Sequence, residues 1–382
     1  MKEGWKMVKL GKIVSTSNGL WKGKKPPYIN IAVIRNTNFT KDCKLRLDDI
    51  EYIDAEEKQF LTRKLEYGDI IIEKSGGSDK QPVGRPVLFN IKEGNFSYSN
   101  FTSRIRIIDN KIIDSSFLQK ALYNHYIKGS TFPLQSNTTG IHNLDFKGYL
   151  ELDIPLPPLE EQHRIVSILD ASFEKIDALK KNAEENLKNA KALFQQVLAQ
   201  ELKPKDGGDY RKLDSLYLIK TGKLNSNQAV KNGKYPFFTC SREIFAINEY
   251  AFDCEAVLLA GNNASGDFNV KHYKGKFNAY QRTYVIQPKT DLAGCRLLYY
   301  VLLLYLSELK SLSLGANTKF LKLGMIENIK VPILNSNEHR IVATLDTLSE
   351  KCRRLEQVAQ QTIRECDALK QSILRQAFSG EL

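Results

Sequence analysis

Two long stretches of the chain place apolar residues at spacings of three and four. The first series is Ile165, Leu169, Phe173, Ile176, Leu179, Ala183, Leu187, Ala190, Phe194 and Val197, and the second is Ile341, Leu345, Leu348, Cys352, Leu355, Ala359, Ile363, Cys366, Leu369 and Ile373. A narrow apolar stripe that continues over about five heptads is typical of a coiled-coil seam. The pattern therefore predicts two long helices, over residues 159–202 and 336–382.

The two predicted helices are copies of one another. Residues 163–200 and 339–376 align at a constant offset of 176 and share 15 identities in 38 positions. A 38-residue helix is about 57 Å long at about 1.5 Å per residue, which exceeds what packing inside one compact domain requires. We expect the helices to pack on each other in antiparallel orientation, which would relate the halves by an approximate two-fold axis. The alternative is two unrelated amphipathic helices, each covering its own domain.

A weaker repeat precedes each helix. Strand patterns that end in polar loops lie at residues 68–79 and 254–267, aromatic and polar stretches at 96–108 and 277–286, apolar helical runs at 117–127 and 297–306, and proline-containing strands at 152–157 and 329–334. The fold class predicted is α+β: two mixed globular domains separated by two long helices that form an antiparallel coiled coil. The predicted order is a globular domain at 1–158, a helix at 159–202, a linker at 203–209, a globular domain at 210–335 and a helix at 336–382.

The positive charge of the chain lies outside the predicted helices. The formal net charge is +12, yet the two helical segments carry 13 basic and 15 acidic residues, so the globular segments hold +14. Such a surface favours a polyanionic partner. Lysines interrupt the apolar residues of the first segment, and the longest apolar run has ten residues, so neither a signal peptide nor a membrane helix is predicted. We expect a cytoplasmic protein.

Motifs for catalysis or metal binding are missing from the sequence. The six cysteines contain no C-x-x-C pair, which argues against a zinc site or a disulfide framework. The sequence KPPY resembles the loop with which amino-methyltransferases hold adenine, but Lys25 stands where a hydrogen-bond acceptor is needed. No strand-linked G-x-G-x-x-G and no G-x-x-x-x-G-K-[ST] motif occurs. Glu56, Glu57 and Lys58 match the acidic-x-Lys pattern of metal nucleases, but the sequence offers no clear second acidic residue to complete such a site. A non-catalytic protein is therefore predicted.

Three polar loops recur in both globular segments. They lie at 74–80, 98–104 and 135–143 in the first half, and at 261–267, 279–283 and 315–319 in the second. Proteins read DNA by placing Lys and Arg on phosphates and amide or hydroxyl side chains on base edges. The candidate DNA-binding residues are Lys74, Ser75, Ser78, Lys80, Arg85, Tyr98, Asn100, Arg104, Asn137, Asn262, Asn263, Tyr280, Gln281, Arg282, Asn317 and Lys319. For each loop taken alone, an ordinary solvated turn is the alternative.

The segments PLPPLEEQHRIVSILD, at residues 155–170, and ILRQAFSGEL, at 373–382, resemble the conserved regions of type I restriction-modification specificity subunits. The two-fold repeat resembles that family over the whole chain. The resemblance implies two target-recognition domains that each read one half of a double-stranded DNA site, as part of a defence against foreign DNA. A coiled-coil adaptor of another assembly, without DNA readout, is the alternative function.

The resemblance also implies partners and the surfaces that bind them. Two methyltransferase subunits would dock on the conserved helices, restriction subunits would join that core, and S-adenosylmethionine, ATP and Mg would bind to those partners and not to this chain. By this resemblance, the candidate residues for docking the partner subunits are Glu161, Gln162, His163, Arg164, Glu338, His339 and Arg340. The second copy departs from the motif, since PILNSNEHRI replaces PLPPLEEQHRI and lacks the Pro-Pro pair.

Overall fold

The computed structural model describes residues 5–21, 23–79, 81–138, 140–204 and 209–382. The chain divides into two compact units. The first unit comprises Met1–Asn182 and Thr362–Leu382, and the second comprises Ala183–Gln361. Residues 205–208 of the predicted linker lie outside the described residues.

The first unit is built mainly from short strands. Its strands are β1 (Lys6–Lys9), β2 (Val14–Asn18), β3 (Tyr28–Ile34), β4 (Glu51–Glu56), β5 (Ile70–Glu73), β6 (Ser75–Gly77), β7 (Pro86–Leu88), β8 (Phe96–Tyr98), β9 (Thr102–Ile107), β10 (Gln135–Thr138), β11 (Ile141–Leu144) and β12 (Asp153–Leu156). Its short helices are α1 (Glu57–Arg63), α2 (Ser115–Ile127) and α3 (Phe146–Leu150). The long helix α4 (Leu159–Glu201) begins in this unit.

The second unit follows the same plan with a larger sheet. Its elements are β13 (Tyr210–Lys212), α5 (Leu213–Leu216), β14 (Tyr217–Thr221), β15 (Tyr235–Phe238), β16 (Phe245–Ile247), β17 (Phe252–Ala260), β18 (Asn262–Asn263), β19 (Val270–Ala279), β20 (Thr283–Pro288), α6 (Cys295–Leu312), β21 (Lys319–Phe320), α7 (Leu323–Glu327) and β22 (Lys330–Pro332). The long helix α8 (Glu338–Ser379) begins here. No helix in the described part of the chain combines the length and the apolar character that a membrane span requires.

The sheets of the two units share a strand order at their centres. In the first unit β9 lies between β2 and β5, and in the second β20 lies between β14 and β17, with antiparallel pairing throughout. The strand that opens each domain pairs with the strand that closes it, β1 with β12 and β13 with β22. Polar strands also pair in both units, β6 with β11 and β18 with β21. The predicted α+β class and the internal repeat are therefore confirmed.

One amphipathic helix packs on the sheet of each unit and supplies much of its core. In α2 the buried residues Phe117, Leu118 and Leu122 lie in the same apolar cluster as Ile70 and Ile105 of the sheet. This helix begins at an N-cap, because the side chain of Asp114 accepts a hydrogen bond from the Phe117 N–H. In the second unit, α6 contributes Leu297, Leu298, Val301 and Leu302 to the cluster that contains Val257 and Ile286.

The long helices pair in antiparallel orientation within each unit. In the first unit, the start of α4 shares a core with the end of α8, through Ile165 and Leu169 on one helix and Leu374 on the other. The ion pair between Lys180 Nζ and Asp367 Oδ1, at 2.6 Å, joins the same two helices. In the second unit, the end of α4 shares a core with the start of α8, through residues such as Leu198 and Leu345. The alternative, in which each helix packs only on its own domain, is therefore wrong.

The seam between the helices is narrower than the apolar pattern predicts. Ile176, Ala183 and Ala190 of α4 are buried, as are Cys352, Ala359 and Cys366 of α8. Four leucines on the helices, Leu179, Leu193, Leu355 and Leu369, are instead about half exposed, although three of them belong to the predicted seam. A pair of helices buries one side of each helix only, so apolar positions at the margin of the stripe stay in contact with water.

Candidate nucleic-acid interface

The first unit brings its three polar loops together on one surface. The Lys74 N–H donates to the Phe101 carbonyl and the Leu144 N–H donates to the Lys74 carbonyl, both at 2.8 Å. The Ser75 hydroxyl donates to Asn143 Oδ1 at 2.6 Å. These bonds join the loops at 74–79, 98–104 and 135–143, the last described at 135–138 and 140–143 only, and the described residues are together called the first loop surface.

The second unit assembles its three polar loops in a corresponding way. The Gly261 N–H donates to the Arg282 carbonyl and the Leu321 N–H donates to the Gly261 carbonyl, both at 2.8 Å. Asn263 of β18 lies opposite Lys319 of β21 in an antiparallel pair. The loops at 261–267, 279–283 and 315–319 thus form the second loop surface.

A fourth loop, which the sequence interpretation missed, joins each surface. In the first unit, Leu20 forms a parallel bridge with Ser99, and Asn18 Oδ1 accepts a hydrogen bond from Lys74 Nζ at 2.7 Å. In the second unit, Leu224 forms a parallel bridge with Tyr280. The fourth loops are therefore the described residues 18–21 and 23–25 in the first unit and residues 221–228 in the second. Each contacts the loop that precedes β9 or β20.

A glycine allows each fourth loop to approach its neighbour. A Cβ atom on Gly19 would lie 1.7 Å from the Ser99 carbonyl oxygen, and one on Gly222 would lie 1.8 Å from the Ala279 carbonyl oxygen. No other residue fits at either position without moving the backbone. One sequence signal could have identified these loops. In each domain a polar stretch follows the second strand directly, and it contains a glycine with Lys or Leu within the next two residues.

The candidate DNA-binding residues occupy three environments. Exposed side chains belong to Ser78, Asn100, Asn137, Gln281, Arg282 and Asn317, and half-buried ones to Lys74, Ser75, Arg104, Asn262, Asn263, Tyr280 and Lys319. Lys80 lies outside the described residues. Arg85 and Tyr98 are buried, and their burial excludes the contacts predicted for them.

Arg85 is a structural residue, which corrects the prediction that it contacts DNA. It is 3% exposed, and its guanidinium forms two hydrogen bonds to the buried carboxylate of Glu73, at 2.7 and 2.8 Å. A further guanidinium nitrogen donates to the Phe39 carbonyl at 2.9 Å. A phosphate contact would expose Arg85 and leave the charge of Glu73 buried without a partner, which is costly.

Tyr98 is also part of the core and not of the exposed surface. Its ring is fully buried in a cluster with Ile34, Phe89 and Val87. The hydroxyl donates to the Ser17 carbonyl at 3.3 Å, and burial raises the pKa of Tyr98. Tyr98 of β8 is therefore a core residue, so the prediction that Tyr98 binds DNA is wrong.

Polar side chains also shape the loops themselves. Asn263 Oδ1 accepts hydrogen bonds from the Ser265 N–H at 2.9 Å and from the Asp267 N–H at 3.1 Å. Gln281 Nε2 donates to Asn225 Oδ1 of the fourth loop at 2.9 Å. Burial lowers the pKa of Lys74. These groups hold the loop backbones in place, while the exposed neighbours are free to face a ligand.

Gln162, a candidate for partner docking, instead connects the first domain to α4. It is fully buried, its Oε1 accepts from the Asp114 N–H, and its Nε2 donates to the Ile112 and Pro157 carbonyls, each at 2.9 Å. A buried amide with three partners is not available to another protein, so the docking prediction for Gln162 is corrected.

Glu338 is the repeat counterpart of Gln162 and has a similar contact. Its Oε1 accepts from the N–H of Gly294, the N-cap residue of α6, at 2.9 Å. The change from Gln to Glu in the second copy of the motif therefore keeps the connection between the helix start and the preceding domain. A carboxylate is well suited to the N-terminus of α6 because the helix dipole is positive there.

The remaining candidates for docking lie at the surface of the helix starts. Arg164 and Glu161 form a bidentate pair with distances of 2.6 and 2.9 Å, and His163, His339 and Arg340 are exposed. Arg340 also borders a shallow groove of about 570 Å³ in the second unit, lined further by Val197, Ala343, Thr344, Thr347, Leu348 and Lys351.

Comparisons with known proteins agree with this duplicated arrangement. The family model described as the type I restriction modification DNA specificity domain matches residues 2–189 and again residues 206–365. The type I restriction enzyme EcoDI specificity subunit of Escherichia coli is 41% identical over 175 residues, covering 44% of this chain and 37% of that subunit. The MjaVIII specificity subunit of Methanocaldococcus jannaschii is 22% identical over 404 residues, covering 92% of this chain and 88% of that one.

Solved structures share the fold. A chain from a study of complex assembly and conformational transition of the type I R-M system covers 100% of this chain and 99% of its own length, with a TM-score of 0.76 and 21% identity. The HsdS subunit from Thermoanaerobacter tengcongensis has a TM-score of 0.56 at 20% identity, covering 100% and 98%. Because the family model matches most of the sequence in two copies, the chain belongs to the family of type I restriction-modification specificity subunits.

Proposed function

We propose that this chain is the non-catalytic subunit that gives a type I restriction-modification complex its DNA specificity. In this proposal each loop surface binds one half of a bipartite, asymmetric site on double-stranded DNA. The observation that carries it is the recurrence of the same loops in the same positions of both units, with different side chains. A shared scaffold with different side chains suits two readers of different base sequences.

Electrostatics support a polyanionic ligand. The globular segments hold the whole excess of positive charge, +14, and exposed Arg282 and half-buried Lys74 lie on the two loop surfaces. Amide side chains such as Asn100 and Asn317 are exposed beside them, and amides pair bidentately with adenine. Cations would supply affinity and amides would supply sequence preference.

The helices are proposed to separate the two half-site readers and to dock two methyltransferase subunits, with restriction subunits joining that core. Half-exposed leucines on both helices, including Leu179 and Leu355, support this role because apolar side chains left in water favour a protein partner. The groove beside Arg340 adds a concave surface. S-adenosylmethionine, ATP and Mg are proposed to bind to the partner subunits, which would carry out the chemistry.

Filter binding of the purified full chain to duplex DNA, over a series of salt concentrations, tests the proposal against a coiled-coil adaptor without DNA readout. We expect binding that weakens steeply as salt rises, because each phosphate contact releases counterions. Absence of binding at low salt, both alone and with the methyltransferase partner, would favour the adaptor.

A further inference from the structure

Trp21 stands exposed on the fourth loop of the first unit. The chain has two tryptophans: Trp5 is 8% exposed and buried in the core, whereas Trp21 is 65% exposed. An isolated exposed apolar residue is ordinary. Trp21 differs because Phe101 and Ile141, from two other loops of the first loop surface, are also about half exposed.

The backbone at Trp21 is fixed on its N-terminal side. The preceding residue, Leu20, is buried in a cluster with Ile31 and Phe60, and its N–H donates to the Tyr98 carbonyl at 2.7 Å. Gly19 packs directly against the Ser99 carbonyl. The backbone is therefore fixed up to Leu20, and the indole that follows it is exposed to water.

Lysines lie on the loop of Trp21 and in contact with it. Lys24 and Lys25 are exposed on the same loop. Lys74 is held beside it, because its Nζ donates to Asn18 Oδ1 at 2.7 Å, and the Lys74 N–H bonds to the Phe101 carbonyl. Exposed apolar side chains press on base steps in many DNA-binding proteins, while lysines of the same surface contact phosphates.

The second unit has no aromatic residue at the corresponding place. The bridges of Leu20 with Ser99 and of Leu224 with Tyr280 align Trp21 with Asn225. The glycines Gly19 and Gly222 align it with Leu224 instead, and neither residue is aromatic. Asn225 is exposed and accepts a hydrogen bond from Gln281. The second loop surface therefore has no counterpart of the exposed indole at this position.

We propose that Trp21 is an apolar contact of the first loop surface with duplex DNA, packing on a base step or its sugars at the edge of the half-site. This inference rests on the proposed function and adds a residue that no sequence motif identified. It assigns DNA as the partner of Trp21 because the preceding residue, Leu20, bridges to Ser99 of the first loop surface. The same loop carries exposed Lys24 and Lys25, and its Asn18 accepts a hydrogen bond from Lys74.

The first test measures whether duplex DNA covers the indole. Acrylamide quenching of the full chain is recorded with and without a saturating amount of the duplex that carries its methylation motif, with saturation established separately by filter binding. We expect DNA to reduce quenching in the natural chain and to leave it unchanged in Trp21→Phe, which retains only buried Trp5. Unchanged quenching of the natural chain at saturation overturns the proposal.

The second test separates an apolar contact from a phosphate contact. Trp21→Ala should weaken binding about ten-fold or more, as aromatic contacts with bases do, while the dependence of affinity on salt keeps its slope because no charge is lost. Trp21→Phe should retain most of the affinity. The matched control is Tyr67→Ala. Tyr67 is 61% exposed, but it lies before β5, at the opposite end of that strand from Lys74 and the first loop surface.

The outcomes distinguish this proposal from the one on which it rests. If the natural chain binds no duplex, the proposed function and the contact fail together. If the chain binds DNA but Trp21→Ala and Tyr67→Ala both bind as the natural chain does, DNA recognition stands and the Trp21 contact is wrong. A reduced salt slope in Trp21→Ala would likewise contradict an apolar contact.

Discussion

At the residue scale, the Arg85–Glu73 pair shows how charge can serve the fold of a DNA-binding domain. Both side chains are almost fully buried, so removing one leaves the other charged and without a partner. We predict that Arg85→Ala destabilises the first unit by about 3–5 kcal/mol, measured by denaturant unfolding. Arg242→Ala, which breaks the exposed pair with Asp267, is the matched control and should change stability by less than about 1 kcal/mol. Equal losses of stability in the two variants would contradict the claim that burial makes the Arg85–Glu73 pair the more important one.

Arg282, exposed on the second loop surface, is predicted to contact a phosphate. Its replacement by Ala should weaken binding to all DNA sequences alike and reduce the slope of log affinity against log salt by about one. Lys188→Ala removes an exposed charge from α4 and should leave the slope unchanged. A slope unaffected by Arg282→Ala would remove this residue from the contacts with the backbone.

Residue types alone could not separate these roles. The sequence identifies Arg85 and Arg282 as basic residues near polar loops, but only the pairing of β5 with β7 places Glu73 beside Arg85. Tyr98 likewise lies in a polar stretch, and its burial depends on β8 pairing with β3. Long-range strand pairing decides such cases, and one sequence does not reveal it.

At the scale of elements, Gln162 connects the start of α4 to the preceding domain. Its replacement by Ala leaves the Asp114 N–H and the Ile112 and Pro157 carbonyls without their partner. Buried polar groups without hydrogen bonds cost about 1–3 kcal/mol each, so we predict a clear fall in the melting temperature. His163→Ala, at the neighbouring exposed position, is the control, and an equal fall in both variants would contradict the role.

The acidic side chain of Asp177 on α4 joins α8 and a loop of the first domain. Burial raises the pKa of its carboxyl, but hydrogen bonds from Lys370 and Lys44 outweigh this and the net pKa is lowered. Stabilisation by a carboxylate with a lowered pKa is complete above its ordinary pKa and is lost as the pH falls through the folded value. Asp177→Asn should therefore melt below the natural chain near neutral pH, and the gap should close below about pH 4. A constant gap would contradict this account.

Apolar periodicity predicted the long elements well and their surfaces less well. Helices α4 and α8 occupy the predicted stretches because a heptad repeat has few alternative structures. The pattern could not show that Leu179 and Leu355 lie at the margin of the seam, since the width of a two-helix contact depends on the partner. The fourth loops were missed because short polar segments carry no periodic signal.

At the scale of the whole molecule, one chain contains two versions of the same domain, each continued by a helix that pairs with its copy within both units. The constant parts are the helices and the strand order, and the variable parts are the loops. Duplication in a single chain lets the two loop surfaces diverge, which a symmetric dimer of identical subunits cannot do. On the proposed function, we expect an asymmetric DNA site.

Methylation mapping across the genome of cells that express this chain with the proposed methyltransferase partner tests the central claim most directly. We predict one motif made of two different short sequences separated by a spacer of fixed length and free sequence. A continuous palindromic motif would contradict the account, because it would require both loop surfaces to read the same bases.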